Sequence, residues 1–220
     1  MTDWISEEQC INQEVSFVMQ QKLARIISII FHPLIMPAIG MLIIFNTGSY
    51  LSFMPFEGKR LIMLIVVTGT ILFPLSIIPF FLYYKWVGKA EMTNYRERIL
   101  PLLFTVIMYY LTYYMLHRIP VPVLIQTFML GASSSVFLNL VINLKWKISS
   151  HMIGIGGITG LIVALYINLQ IDVSLFLVLS ILLSGVIGFS RLYLNAHTPL
   201  QVYLGYLTGF LTIFLVVVFK

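Results

Sequence analysis

The stretch "VSLFLVLSILLSGVIGFSRLYLNAHTPLQVYLGYLTGFLTIFLVVVF", Val173–Phe219, holds two long apolar runs around one polar knot. Each run approaches the roughly twenty residues a helix needs to cross a bilayer. The knot, Ser190–Gln201, carries Arg191 and His197, with Gln201 one helical turn beyond the histidine. A chain that crosses lipid, turns on an arginine and a histidine, and crosses back has something polar to hold at the turn.

The rest of the chain repeats the pattern. Its 220 residues are 60% hydrophobic and 10% charged, with a mean hydropathy of +0.98. Soluble domains carry about 25% charged residues. A core of this length cannot hide so much apolar surface from water, so lipid is the solvent. Seven runs qualify as spans: Leu23–Phe45, Leu61–Tyr84, Ile99–Leu116, Val121–Leu144, Met152–Leu169, Val173–Phe189 and Pro199–Phe219. Backbone groups in lipid must bond internally, so the spans are helices. The expected fold is an all-α, polytopic bundle of six to seven transmembrane helices. The fifth and sixth runs are the shortest and are candidates for tilted or partly re-entrant segments. A polar N-terminal tail, 1–22, precedes a transmembrane domain, 23–220. The tail carries Asp3, Glu7, Glu8 and Glu14 and lacks the basic start of a secretory signal, so the first span is expected to be retained. The single cysteine, Cys10, allows no internal disulfide. The net charge of +5 lies at the ends of apolar runs, where membrane proteins place cations. With no basic stripe on a soluble domain, nucleic acid is excluded as a partner.

The loops carry the chemistry. Those after the second, fourth and sixth spans share one membrane face: "KWVGKAEMTNYRER" (Lys85–Arg98), "KWKISSH" (Lys145–His151) and "SRLYLNAH" (Ser190–His197). They gather Lys89, Arg96, Arg98, Lys147, His151, Arg191 and His197, with the hydroxyls Ser149, Ser150 and Ser190. Cations and hydroxyls with few carboxylates suit a small, multiply charged anion. Arginine grips phosphate by a two-pronged fork, lysine as a point charge. Histidines trade protons near neutral pH. The spacing points to phosphoryl chemistry at a membrane surface.

These residues resemble the signatures of the type 2 phosphatidic acid phosphatase superfamily, which includes lipid phosphate and undecaprenyl-diphosphate phosphatases. Its third signature is serine-arginine, five residues, histidine, three residues, aspartate; Ser190, Arg191, His197 and Gln201 stand at those places. Its second, proline-serine-glycine-histidine, falls on Ile148, Ser149, Ser150 and His151. Its first, lysine, six residues, arginine-proline, falls on Lys89 and Arg96, with Glu97 in place of the proline and Arg98 and Pro101 just beyond. The resemblance spans Lys89–Gln201, and two apolar runs separate the first and second signatures where many relatives have one.

The resemblance implies a nucleophilic mechanism without a metal or other cofactor. His197 attacks phosphorus, His151 protonates the leaving alcohol and later activates water, and Lys89, Arg96 and Arg191 clamp the phosphate with help from Ser149. Arg98, Ser150 and Ser190 are further candidate contacts. The implied partners are a lipid phosphate substrate and membrane lipids, in a bacterial inner membrane. Gln201 departs from the pattern. Its carbonyl oxygen can accept a bond from the histidine but offers no charge. In serine proteases the equivalent acid-to-amide change costs roughly ten-thousandfold, largely through the wrong tautomer, which is about 5 kcal/mol. Gln201 therefore marks a slow enzyme, a compensated one, or a non-catalytic binder of lipid phosphates. A haem bundle with His151 and His197 as axial ligands is a further alternative.

Other features have plainer readings. His32, in "FHPLIMP", is either a functional intramembrane group or a neutral ring bonded to a freed carbonyl near Pro33 or Pro37. "GIGGITG" (Gly154–Gly160), Gly205 and Gly209 suit close helix packing. The excess of cations on the motif side comes from the motifs themselves: with Lys89, Arg96, Arg98, Lys147 and Arg191 set aside, Lys22, Arg25, Lys85 and Lys145 balance Lys59, Arg60, Arg118 and Lys220.

Overall fold

The computed structural model describes residues 3–84 and 95–220, the side chains of 3–15, 82, 95 and 96 excepted. Every regular element among them is helical: α1 (Asp3–Ile30), α2 (Met36–Asn46), α3 (Phe56–Val67), α4 (Phe73–Tyr83), α5 (Ile99–His117), α6 (Val123–Asn143), α7 (Ser150–Leu169), α8 (Ser174–Tyr193) and α9 (Pro199–Phe219). They form seven segments long and apolar enough to cross a membrane, so the chain is an integral membrane helix bundle. All seven expected spans are present. The fifth and sixth are unbroken helices, α7 and α8. α1 runs without a break from Asp3 in the tail to Ile30 in the first span.

The first two spans are interrupted where proline dictates. Proline lacks an N–H and pushes the residue before it out of the helical region. His32, before Pro33, is extended (φ −63°, ψ 137°), and its Nδ1 accepts the Leu34 N–H at 3.3 Å to start a short 3₁₀ turn, Pro33–Ile35. α2 resumes at Met36. In the second span a π turn, Thr68–Leu72, joins α3 to α4 just ahead of Pro74. Such a bulge accommodates the bond that Pro74 cannot make.

The last four helices are held differently. α7 is the most enclosed, with α9, α8, α6 and α2 around it. Its glycines let α9 lie directly against it. A Cβ on Gly156 or Gly160 would overlap the carbonyl of Tyr206 or Phe210, and one on Gly209 would overlap that of Ile153. Where lipid is as apolar as leucine, close van der Waals packing of small residues is what binds helices together. The expected packing role of this glycine run is met. The seam fixes the N-termini of α7 and α9 side by side, and the Ser149 N–H reaches the Gln201 carbonyl at 3.4 Å.

Candidate functional site

The polar knot folds into a tight connection. α8 ends just after Arg191. Asn195 takes a left-handed conformation (φ 50°), and the Ala196 N–H returns to the Arg191 carbonyl at 3.1 Å. Thr198 then caps α9, Pro199 occupies its first turn, and Gln201 completes a capping box. In that motif the side chain three residues into the helix reaches back to a free backbone N–H at its start.

This cap orients the candidate nucleophile. Gln201 Oε1 accepts the Thr198 N–H at 3.1 Å and lies 3.1 Å from His197 Nδ1. A backbone N–H only donates, so the amide atom it meets is the oxygen. An amide oxygen only accepts, so His197 Nδ1 carries the proton and Nε2 keeps its lone pair. Burial, then Arg191 and Arg98, hold the His197 pKa down to about 3 against the opposing bond from Gln201, with Lys147 adding to the depression. The ring is therefore neutral at physiological pH.

Around it stand the cations. Arg98, at the N-terminus of α5, donates from Nη2 to Ser150 Oγ at 2.6 Å and from Nη1 to the Ile148 carbonyl at 3.3 Å. Asn139 Nδ2 donates to the same Ser150 Oγ at 2.8 Å. Two accepted bonds occupy both lone pairs of the hydroxyl and leave its proton to give. Burial and the Arg191 charge lower the Arg98 pKa to about 10, still cationic at neutral pH. Lys147 is also lowered, by burial and then by Arg98 and Arg191. Arg191 Nη1 donates to Ser28 Oγ at 3.2 Å, while its buried Nε has no partner. His151 Nε2 lies 3.0 Å from the Ser28 carbonyl. That carbonyl only accepts, so the neutral ring is protonated at Nε2 and bare at Nδ1. The His32 ring meets His151 edge-on, with centroids 5.7 Å apart.

These groups line one end of a cavity of about 880 Å³. Its wall includes Arg25, Arg98, Lys147, Arg191, His32, His151 and His197, and among the described residues no Asp or Glu. Taking two or more cations out of water without a counter-charge is costly, and a buried unpaired donor such as Arg191 Nε adds to that cost. Such an arrangement is relieved by an anion. Among the described residues no group of three or more His, Cys, Asp or Glu side chains is placed to hold a metal ion.

The structure brings together most of the residues singled out in the sequence. Arg98, Ser150, His151, Arg191 and His197 meet at the cavity, and Gln201 holds His197 from behind. Ser149 and Ser190 do not line it. Ser149 is buried against α9, its Cβ facing Gly205, and Ser190 Oγ is spent on the Val186 carbonyl at 2.8 Å. Lys89 lies outside the described residues, as does the side chain of Arg96, whose backbone belongs to the short turn Tyr95–Arg98. Sequence reasoning passed over Ser28, Arg25 and Asn139. The first two stand one helical turn apart on α1, and Asn139 is one of three amides, with Gln126 and Asn143, in an otherwise mainly apolar α6. His32 lines the cavity, and its ring bonds to the Leu34 N–H rather than to the freed carbonyl expected, because Pro33 holds His32 extended and turns Nδ1 onto the start of the 3₁₀ turn. Comparison with protein-family models, curated proteins and solved structures finds no match, so the site is read from its own geometry.

Proposed function

We propose that the protein is a membrane-embedded phosphatase of lipid phosphates or diphosphates that works through a phosphohistidine on His197, its proposed setting a bacterial inner membrane. One observation carries the reading: a neutral histidine with a free Nε2 stands among cations that no described carboxylate neutralises. Arg98, Arg191 and Lys147 hold the phosphate oxygens, and Ser150 gives its free hydroxyl proton to one of them. Nε2 of His197 attacks the terminal phosphorus as its bond to the leaving oxygen breaks, the lipid alcohol's in a monophosphate and the bridging oxygen of the lipid monophosphate in a diphosphate. His151, protonated on both nitrogens while the anion is bound, gives its Nδ1 proton to the departing oxygen. Water then attacks phosphorus and loses its proton to His151 Nδ1. The P–N bond breaks, and inorganic phosphate leaves. The fixed cations supply the charge stabilisation throughout.

The test is phosphate release by purified protein in lipid nanodiscs, with a chelator present, from phosphatidate, phosphatidylglycerophosphate and undecaprenyl diphosphate. Release is expected from at least one of them, falling about a thousandfold or more in His197→Ala. Equal release by that folded variant overturns the nucleophile. A second reading rests on Gln201, which orients His197 but cannot offset the positive charge that phosphorylation places on the ring. On that reading the protein binds lipid phosphates without turnover, and the same panel shows saturable binding with no release.

A further inference from the structure

The cavity does not stop at the cations. From Arg98 it runs along α5 past Leu102 to Tyr109, and from Asn139 it runs along α6 to Phe128. At about 1.5 Å per residue each path is about 16 Å long. Half the hydrocarbon thickness of a bilayer is about 15 Å, so the void is as deep as one leaflet. Its deep wall is effectively apolar. Val136, Ile153 and Ile158 face it, and the Thr105 and Ser135 hydroxyls are already satisfied, by the Pro101 carbonyl at 2.7 Å and the Gly131 carbonyl at 2.9 Å, so that the Tyr109 phenol is the further hydroxyl at its inner end. Protein interiors are packed close to crystal density, and apolar voids hold water poorly. The part of this cavity of about 880 Å³ that lies beyond the cations is therefore built for an apolar guest.

We infer that this cavity is a compartment for one hydrocarbon chain of the lipid whose phosphate sits on Arg98 and Arg191, with Phe128 as its floor. The floor is firm: Phe128 is buried, and its ring lies so close to Gly40 of α2 that any side chain there would overlap it. The mouth is lateral. Ile29 of α1 lines the cavity yet is 70% exposed, and Pro74 and Ile78 of α4 face it across the opening. α1 packs chiefly on α8 and α4 chiefly on α5, with only slight packing between α1 and α4. A chain can therefore slide in from the bilayer while its phosphate stays at the surface. Because the chain moves from lipid to an equally apolar wall, it gains little from water. What the compartment supplies is selection by length.

The inference rests on the lipid-phosphate reading of the site but not on turnover, and the experiment separates the two. The probe is hexadecyl phosphate carrying a diazirine at the chain end, added to the protein in nanodiscs and photolysed, with cross-links mapped by peptide mass spectrometry. Labelling is expected at the floor, on residues such as Tyr109, Phe128 and Ile158, and is expected to fall at least tenfold in Ala132→Phe, which fills the middle of the cavity. Phe128→Ala, which deepens it, is expected to move the preferred alkyl phosphate from hexadecyl toward eicosyl. Partition into the bilayer is the same for wild type and variant, so their ratio reads the compartment alone. Labels confined to the lipid-facing surface, or an unchanged length preference in folded Phe128→Ala, overturn the compartment. Floor labelling without phosphate release from any substrate upholds it and sinks the phosphatase instead.

Discussion

The two halves of this bundle are held together by opposite means. Where α7 meets α9, glycines bring two backbones into contact, and the helices run unbroken. On the other side, α1–α2 and α3–α4 are each broken by proline, and α4 carries Pro79 within it. The tight half holds His151 and His197, the groups that the proposed chemistry would require to keep sub-ångström geometry. The broken half, with α5, α6 and one face of α7, walls most of the cavity and leaves its mouth open to lipid. The breaks also place polar groups at membrane depth, because a freed backbone tolerates what an intact helix would not. His32 and the Ser28 carbonyl reach the site in this way.

The largest way to break that contrast is to fill the seam. Gly209→Leu drives a side chain into the Ile153 carbonyl. Overpacking a core costs about 1–3 kcal/mol when side chains can yield, and a backbone clash yields less. The variant is expected to lose folded yield and thermal stability outright. Gly185 on α8 faces open space, so Gly185→Ala is expected to change the midpoint by no more than a degree or two. If both variants behave alike in a thermal-shift assay, the seam is not what holds this half.

Next in size is the anion clamp. Arg191 is anchored by Ser28 and presents a buried, unpartnered Nε, whereas Arg25 is exposed at the mouth. Arg191→Ala is expected to reduce phosphate release or lipid-phosphate affinity about a hundred- to a thousandfold, in line with loss of a preorganised charge. Arg25→Ala is expected to cost less than tenfold. A reversed order would move the phosphate from the cavity to its rim.

How much of this was legible in the sequence follows the same division. The seven spans stand out because lipid demands about twenty apolar residues from each. The shared face of the three loops follows from counting crossings, and the glycine run announces its packing. The hydrogen bonds that assemble the site were hidden. Ser28 meets His151 and Arg191 across more than a hundred residues of chain, and no local pattern marks a tertiary contact of that kind. Asn139 is similar, since only the fold brings it to Ser150. Gln201 was legible as a departure from the resembled signature. Its second role, as a helix cap, could be read only once Thr198 was seen to start α9.

That second role sharpens the expectation for Gln201→Asp. In serine proteases the amide is damaging largely because it selects the wrong tautomer. Here the Thr198 N–H fixes the amide the right way round, so Nε2, the proposed nucleophile, is already free. Only the missing negative charge remains to be regained. Gln201→Asp is therefore expected to raise release about ten- to a hundredfold rather than ten-thousandfold, or about 1.4–2.7 kcal/mol. Gln201→Met, which removes both cap and acceptor, is expected to lower it. A ten-thousandfold gain in the Asp variant would mean the tautomer assigned to His197 is wrong.

The smallest effect tests the cations through pH. The folded pKa of His197 lies near 3, below the ordinary histidine value of 6.5. Between those two values the unfolded chain binds a proton that the folded one refuses, so stability rises with pH across this window. The contribution is complete above about pH 6.5 and is lost as the pH falls toward 3. From pH 6.5 to 5.5 the loss is expected to be about 1 kcal/mol, at about 1.36 kcal/mol per unit when the difference is a full proton. Other groups titrate in the same range, so the measurement is the difference between wild type and His197→Asn. The asparagine retains an N–H for Gln201 Oε1 but has nothing to titrate. Thermal midpoints at the two pH values are expected to diverge less in the variant than in wild type. Inorganic phosphate should narrow the gap in wild type, because an anion on Arg98 and Arg191 offsets the charges that add to burial in holding the ring neutral. If phosphate leaves the gap unchanged, then burial alone sets the protonation of His197, and the part assigned to those arginines is wrong.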